Sequence, residues 1–171
     1  TLNNAGVAGP IVFAVQTGTY QEQLNLGPVR GSSGMNTITF RSASGFRDDV
    51  VLQYATTNGA NYVLNLSNAS NFIFEKMTFY SAGAQNYANV VTMDNAETIH
   101  FNDAHIHVKG TVNNQNASCM VLGENVKYIY LDSCKLDSGY YSIKSNVAAL
   151  GLNTGLYVTD CELTNFLSQG V

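Results

Sequence analysis

The sequence predicts an all-β parallel β-helix, a solenoid of about six coils with three short parallel sheets. Three observations carry this. A motif of alternating apolar residues recurs four times: Phe72-x-Phe74-x-x-Met77-x-Phe79, Ile99-x-Phe101-x-x-Ala104-x-Ile106, Ile129-x-Leu131-x-x-Cys134-x-Leu136 and Leu156-x-Val158-x-x-Cys161-x-Leu163. The first positions lie 27, 30 and 27 residues apart, and within each copy the apolar residues alternate as on a strand, not with helical spacing. Finally, charged residues make up only 12% of the 171 while glycine occurs 15 times and proline twice. That composition suits coils that bury many side chains and turn tightly.

Residues 1–10 are small and polar, end in Gly9-Pro10, and read as the tail of an N-terminal cap. Some cover is expected there, because the open end of a solenoid leaves strand edges unpaired. Ile11 to Val15 reads as the first strand. Gly18 turns the chain, and Leu24 and Leu26 resume the alternation. A loop with Pro28, Gly31 and Gly34 follows, and Ile38 and Phe40 then occupy the first two motif positions. Arg41 to Asp49 reads as a polar turn and Val50 to Leu52 as a further strand.

From there each motif supplies two strands of a coil. The alternating part before the gap puts two apolar side chains on one face, and the part after it does the same for the next strand. The two residues between them are mostly polar (Glu75-Lys76, Asn102-Asp103, Asp132-Ser133, Thr159-Asp160) and suit a sharp bend from one sheet to the next. A third strand precedes each motif, with Leu64 and Leu66, then Val91 and Met93, facing inward. In the next coil Val121 holds the corresponding position and Gly123 the second inner one. Equivalent residues should stack about 4.8 Å apart, with Met77, Ala104, Cys134 and Cys161 as one internal column. Val147 to Thr154 reads as an inserted apolar-rich loop, a candidate groove wall. Ser168 to Val171 reads as the approach to another coil, so residues 1–171 are expected to form one β-helix domain of a longer chain.

The run Gly9-Pro10-Ile11-Val12-Phe13, then Gly18-Thr19-Tyr20-Gln21-Glu22-Gln23-Leu24 and Asn36-Thr37-Ile38-Thr39-Phe40-Arg41-Ser42-Ala43-Ser44-Gly45, resembles the opening of right-handed parallel β-helix domains of the pectin-lyase-like superfamily. It is especially similar to domains in large secreted or surface proteins of Bacteroidetes-type bacteria. Asn71 to Phe79 looks like the usual coil of that group. The resemblance implies a single-stranded right-handed parallel β-helix and a secreted or cell-surface bacterial location. The superfamily holds polysaccharide lyases, pectin esterases, glycoside hydrolases and members without known activity. The matched motifs are structural and carry no catalytic residue across.

Chemistry is therefore sought on the outer face. His105 and His107, two apart on one strand, should point outward together, with Lys135 stacked over His105, Asp137 over His107, and Glu162 and Thr164 in the next coil. Carboxylates and a histidine there could act as general acid and base on a sugar ring, with Lys135 neutralising a uronate. A metal reading would take His105, His107 and Asp137 as three ligands. The plain alternative is a solvated polar face. His100, Tyr130 and Tyr157 should stack on neighbouring coils, as a platform for sugar rings or as a cross-strand ladder that only stabilises the sheet. Asp103, with Asp132 and Asp160 nearby, could bind calcium or act as paired carboxylates, but Asp is equally a natural turn residue. Three cysteines, spaced for neither zinc nor a redox pair, read as small core residues, with Cys134 and Cys161 adjacent as thiols or, less naturally for parallel neighbours, a disulfide.

A net charge of −4 with scattered basic residues argues against nucleic acid, and no apolar run is long enough to span a membrane. The leading expectation is a non-catalytic module that contacts polysaccharide or serves as a rigid stalk. The rivals are a polysaccharide lyase or glycoside hydrolase acting on acidic glycans, and a protein scaffold that self-associates through the solenoid ends. No cofactor is expected other than calcium as a candidate.

Overall fold

A computed structural model describes residues 6–83, 86–110, 113–147 and 153–168. The chain winds into five three-strand turns and two strands of a sixth. The first turn holds β1 (Ile11–Val15), β2 (Gly18–Gln21) and β3 (Leu24–Leu26); the second β4 (Ile38–Ser42), β5 (Val50–Tyr54) and β6 (Leu64–Ser67). The third holds β7 (Ser70–Glu75), β8 (Thr78–Ser81) and β9 (Val91–Asp94); the fourth β10 (Glu97–Asn102), β11 (His105–Val108) and β12 (Ser118–Leu122). The fifth holds β13 (Lys127–Asp132), β14 (Lys135–Asp137) and β15 (Tyr141–Ser145), followed by β16 (Thr154–Thr159) and β17 (Glu162–Thr164). Three parallel sheets result: sheet A in the order β1-β4-β7-β10-β13-β16, sheet B in the order β2-β5-β8-β11-β14-β17, and sheet C in the order β3-β6-β9-β12-β15.

The recurring motif folds this way because its apolar positions all face one interior. Ile38, Phe72, Ile99 and Ile129 pair in register along sheet A, and each is buried. Beside them runs a ladder of rings: Phe13 on Phe40 (centroids 4.8 Å apart), Phe40 on Phe74 (5.8 Å) and Phe74 on Phe101 (5.0 Å), with planes within 20° of parallel. Phe79 meets both Phe74 and Phe101 edge-on. The column Met77, Ala104, Cys134, Cys161 forms as expected, and the amides following its first three members' stacked neighbours (His105, Lys135, Glu162) donate to the Met77, Ala104 and Cys134 carbonyls. All three cysteines are free thiols, and the Cys134 amide donates to Cys161 Sγ at 3.3 Å.

The polar bends work through backbone conformation. Lys76, Asp103, Ser133 and Asp160 all take positive φ, between 49° and 55°. A single left-handed residue turns the chain from sheet A into sheet B without breaking the inter-turn ladder, as the Lys76, Asp103 and Ser133 amides donate to the carbonyls of Asn102, Asp132 and Thr159 one turn on.

One register expectation is overturned. Met120 and Leu122 face inward and pair with Val91 and Met93, while Val121 is only partly buried and faces out. The cause is a turn one residue longer than its predecessor. The Gly123 amide donates to the Met93 carbonyl at 2.8 Å and the Glu124 amide to Asp94 Oδ1 at 3.0 Å. Gly123 is thus part of the turn and not an inner position, and a Cβ there would lie 2.7 Å from the Met93 carbonyl oxygen. Of the expected Val147 to Thr154 insertion, residues 148–152 lie outside the described residues, as do residues 1–5 of the cap and 169–171 of the expected continuing coil.

Candidate functional site

Sheet B presents the densest polar face. In-register pairing sets Thr78, His105, Lys135 and Glu162 in one outward column, and Gln53, Tyr80, His107, Asp137 and Thr164 in the next. The sequence-derived cluster of His105, His107, Lys135, Asp137 and Glu162 is therefore assembled on one surface. The ring of His107 lies flat against Tyr80 (4.4 Å, 14°) and against His105 (4.3 Å, 18°). Lys135 Nζ lies 3.5 Å from Glu162 Oε1. Asp137 Oδ1 accepts from the Thr164 hydroxyl at 2.9 Å and from Asn165 Nδ2 at 2.7 Å.

These contacts fix the protonation states. Burial pulls His107 down to about 4, with the neighbouring His105 adding to the effect. Burial, then the Arg47 charge, lowers His105. Burial alone would raise Asp137, but hydrogen bonds from Asn165 and Thr164 and the charge of Lys135 outweigh it and hold the carboxyl below its ordinary value. At neutral pH the face thus carries neutral imidazoles, an ionised Asp137 and an ion-paired Lys135. It holds polar groups suited to sugar hydroxyls, but in Asp137 it has no protonated carboxyl to act as a general acid. Among the described residues no three His, Cys, Asp or Glu side chains converge to hold a metal ion. His105, His107 and Asp137 share the face without forming a ligand set.

The residues of sheet A stack as the sequence predicts. His100, Tyr130 and Tyr157 are paired in register, with ring separations of 4.3 and 4.7 Å and planes within 8°. Burial lowers the His100 pKa. Within the ladder the facing rings cover one another, while Tyr157 at its end is 47% exposed. The turn aspartates do not form one cluster. Asp103 and Asp160 belong to the left-handed column, whereas Asp132 pairs with Asn102 and Thr159 in the column beside it.

Sequence reasoning read Arg41 to Asp49 as a polar turn; the structure keeps Arg41 and Ser42 in β4, and the packing of the remainder across sheet B was not foreseen. Where later turns use a two-residue bend, this one uses residues 43–49, ending in a 3-10 turn at Arg47–Asp49 that packs against β5 and β8. The Thr78 hydroxyl, on the outer face, donates to the Arg47 carbonyl at 3.0 Å, and Thr78 is only 4% exposed. Arg47 Nη1 reaches Asp103 Oδ1 at 3.1 Å. Beside these two anchors, in register with Thr78 and two residues after Asp103, His105 Nε2 is shut off from solvent with no hydrogen-bond partner. The same segment walls a groove of about 370 Å³ lined by Arg41, Ser44, Glu75 and Lys76. The only available sequence signal was the length of the polar run after Phe40.

No family model matches the chain, and no curated protein matches it by sequence. Solved structures do match. Pectin methylesterase PemA from Erwinia chrysanthemi aligns with a TM-score of 0.63 at 14% identity, covering 94% of this chain and 48% of that one. A pectin methylesterase from Yersinia enterocolitica aligns at 0.53 and 13% identity, covering 92% and 63%. A pectin methylesterase in complex with hexasaccharide VII aligns at 0.56 and 14% identity, covering 95% and 60%. The likeness shows the fold: this chain is a parallel β-helix, as these pectin methylesterase structures are. The chain spans between 48% and 63% of the length of these three structures. No helix among the described residues is long and apolar enough to cross a membrane.

Proposed function

We infer that this chain is a β-helix module of a secreted or cell-surface protein that contacts polysaccharide through the outer face of sheet B, without turnover by that face. The observation that carries this reading is the pair of in-register columns, Tyr80-His107-Asp137-Thr164 beside His105-Lys135-Glu162. They repeat hydrogen-bonding groups along the solenoid axis about every 4.8 Å, a spacing comparable to one sugar residue of an extended glycan chain. The internal pairing of Lys135 with Glu162 and the ionised state of Asp137 suit a binding surface better than an acid–base pair. The likeness to pectin methylesterases, one of them in complex with a hexasaccharide, supports polysaccharide as the ligand class. Calcium enters only as a variable of the test.

A second reading keeps catalysis. The structures named above are pectin methylesterases, so turnover is part of the test.

The test incubates the protein with acidic and neutral polysaccharides, methyl-esterified and free, with and without calcium. Sedimentation of the complex, release of methanol and appearance of new chain ends are recorded together. Binding that Asp137→Ala weakens, with no released product, supports the module. Methanol or new ends would make the protein an enzyme, and no binding to any glycan would remove polysaccharide as its ligand.

A further inference from the structure

The strap formed by residues 43–49 has two anchor points, Thr78 and Asp103, that flank His105: one pairs with it in register and the other lies two residues before it. His105 Nε2 has neither solvent nor an acceptor while the strap is in place. A neutral ring tolerates this by leaving Nε2 as the unprotonated nitrogen. A protonated ring cannot, because it would hold a buried, unpaired N–H donor and a net charge. The charges around His105 are mixed: Arg47 and Lys135 disfavour a charged ring, Asp137 and Asp48 favour it, and burial is the larger effect. From the strap come the Arg47 guanidinium and the Asp48 carboxylate; from β14 come Lys135 and Asp137; from its own strand comes His107, and from β8 Thr78 and Tyr80. Glu162, on β17, is engaged with Lys135. The strap is held to the sheets by two side-chain links, Arg47 to Asp103 and Thr78 to the Arg47 carbonyl.

We propose that residues 43–49 form an acid-released cover on sheet B: protonation of His105 and closure of the strap exclude each other, so proton uptake lifts the Arg47 segment and exposes the His105 end of the face. As regulation of the saccharide-binding face this rests on the reading above. The movement itself does not, and its test uses no glycan, so the cover can fail while binding stands, or the reverse.

Linkage gives the sign. Closing the strap lowers the proton affinity of His105, and protonating His105 must disfavour closure by the same factor. The strap is therefore stable above the ordinary histidine value and loses protection as pH falls below it. The His105 ring proton is titrated by NMR in the wild-type chain, in Arg47→Ala and in Asp103→Asn, which break the Arg47–Asp103 link from either partner. Amide exchange over residues 43–49, corrected for intrinsic rates, is followed from pH 7 to pH 4. We expect the His105 pKa to rise in both variants, with a matching loss of wild-type strap protection on acidification. In His105→Gln, protection should stay flat. Equal His105 titration in all three chains would overturn the proposal. So would pH-independent strap exchange, or a full acid response in His105→Gln. If one unpinned variant misfolds, the other and the His105→Gln exchange profile still decide.

Discussion

The ring of His107 lies on the ring of Tyr80, one turn below it in sheet B, with centroids 4.4 Å apart and planes inclined by 14°. Burial, with the second histidine beside it, keeps His107 neutral down to about pH 4. The unfolded chain would bind a proton near pH 6.5. Between these values the unfolded state holds more protons, so stability should fall as pH drops from about 6.5 to 4. After solvent screening the loss is on the order of 1–2 kcal/mol. Urea denaturation at pH 7 and pH 5 should show it, and His107→Gln should reduce the difference, leaving the part due to His100 and His105.

Phe101 sits between the stacked ring of Phe74 and the edge of Phe79 and has no exposed surface. Phe101→Ala should cost about 3–5 kcal/mol. Phe13 belongs to the same ladder but is 37% exposed, and its removal should cost only about 1–2 kcal/mol. Chemical denaturation of the two variants side by side checks the ordering, which a uniform core would not produce.

The bend column makes a backbone prediction. Lys76 and Ser133 hold left-handed conformations that glycine and asparagine adopt most easily. Lys76→Asn should raise stability by about 0.5–1 kcal/mol, and Ser133→Val, with its branched Cβ, should lower it by about 1–2 kcal/mol. Opposite shifts in melting temperature are the expected result.

Tyr130 is stacked on both sides, by His100 and by Tyr157. Tyr130→Ala should therefore cost about 1–2 kcal/mol of stability while changing polysaccharide affinity less than Asp137→Ala does. A larger loss of binding than of stability would move the binding surface from sheet B to the ladder of sheet A.

Much of this was legible because in-register stacking turns sequence period into spatial contact. Once Phe72, Ile99, Ile129 and Leu156 are aligned, Lys135 must lie over His105 and Asp137 over His107. The failure at Val121 has a definite cause. Cys119-Met120-Val121-Leu122 is apolar throughout, so alternation cannot choose which parity faces inward, and the longer turn at Gly123 decides it. Ring stacking was foreseen, but its consequence for binding depends on ring orientation, which spacing does not encode. The polar turn at Arg41 to Asp49 was legible, but its anchoring was not, for another reason. Arg47 lies in the second turn and its partner Asp103 in the bend of the fourth, so no local pattern joins them.

The parallel ladders also decide how the molecule would respond to force. Bonds such as those from the Lys76, Asp103 and Ser133 amides link each turn to the next, so they run along the long axis. Tension applied to the two ends of the solenoid would load them turn by turn at the edge, as in a zipper, instead of shearing a whole sheet at once. Each turn that peeled away would release roughly 90–100 Å of extended chain. Stretched between two anchors, such a protein would lengthen in even steps at modest force and yield gradually without snapping.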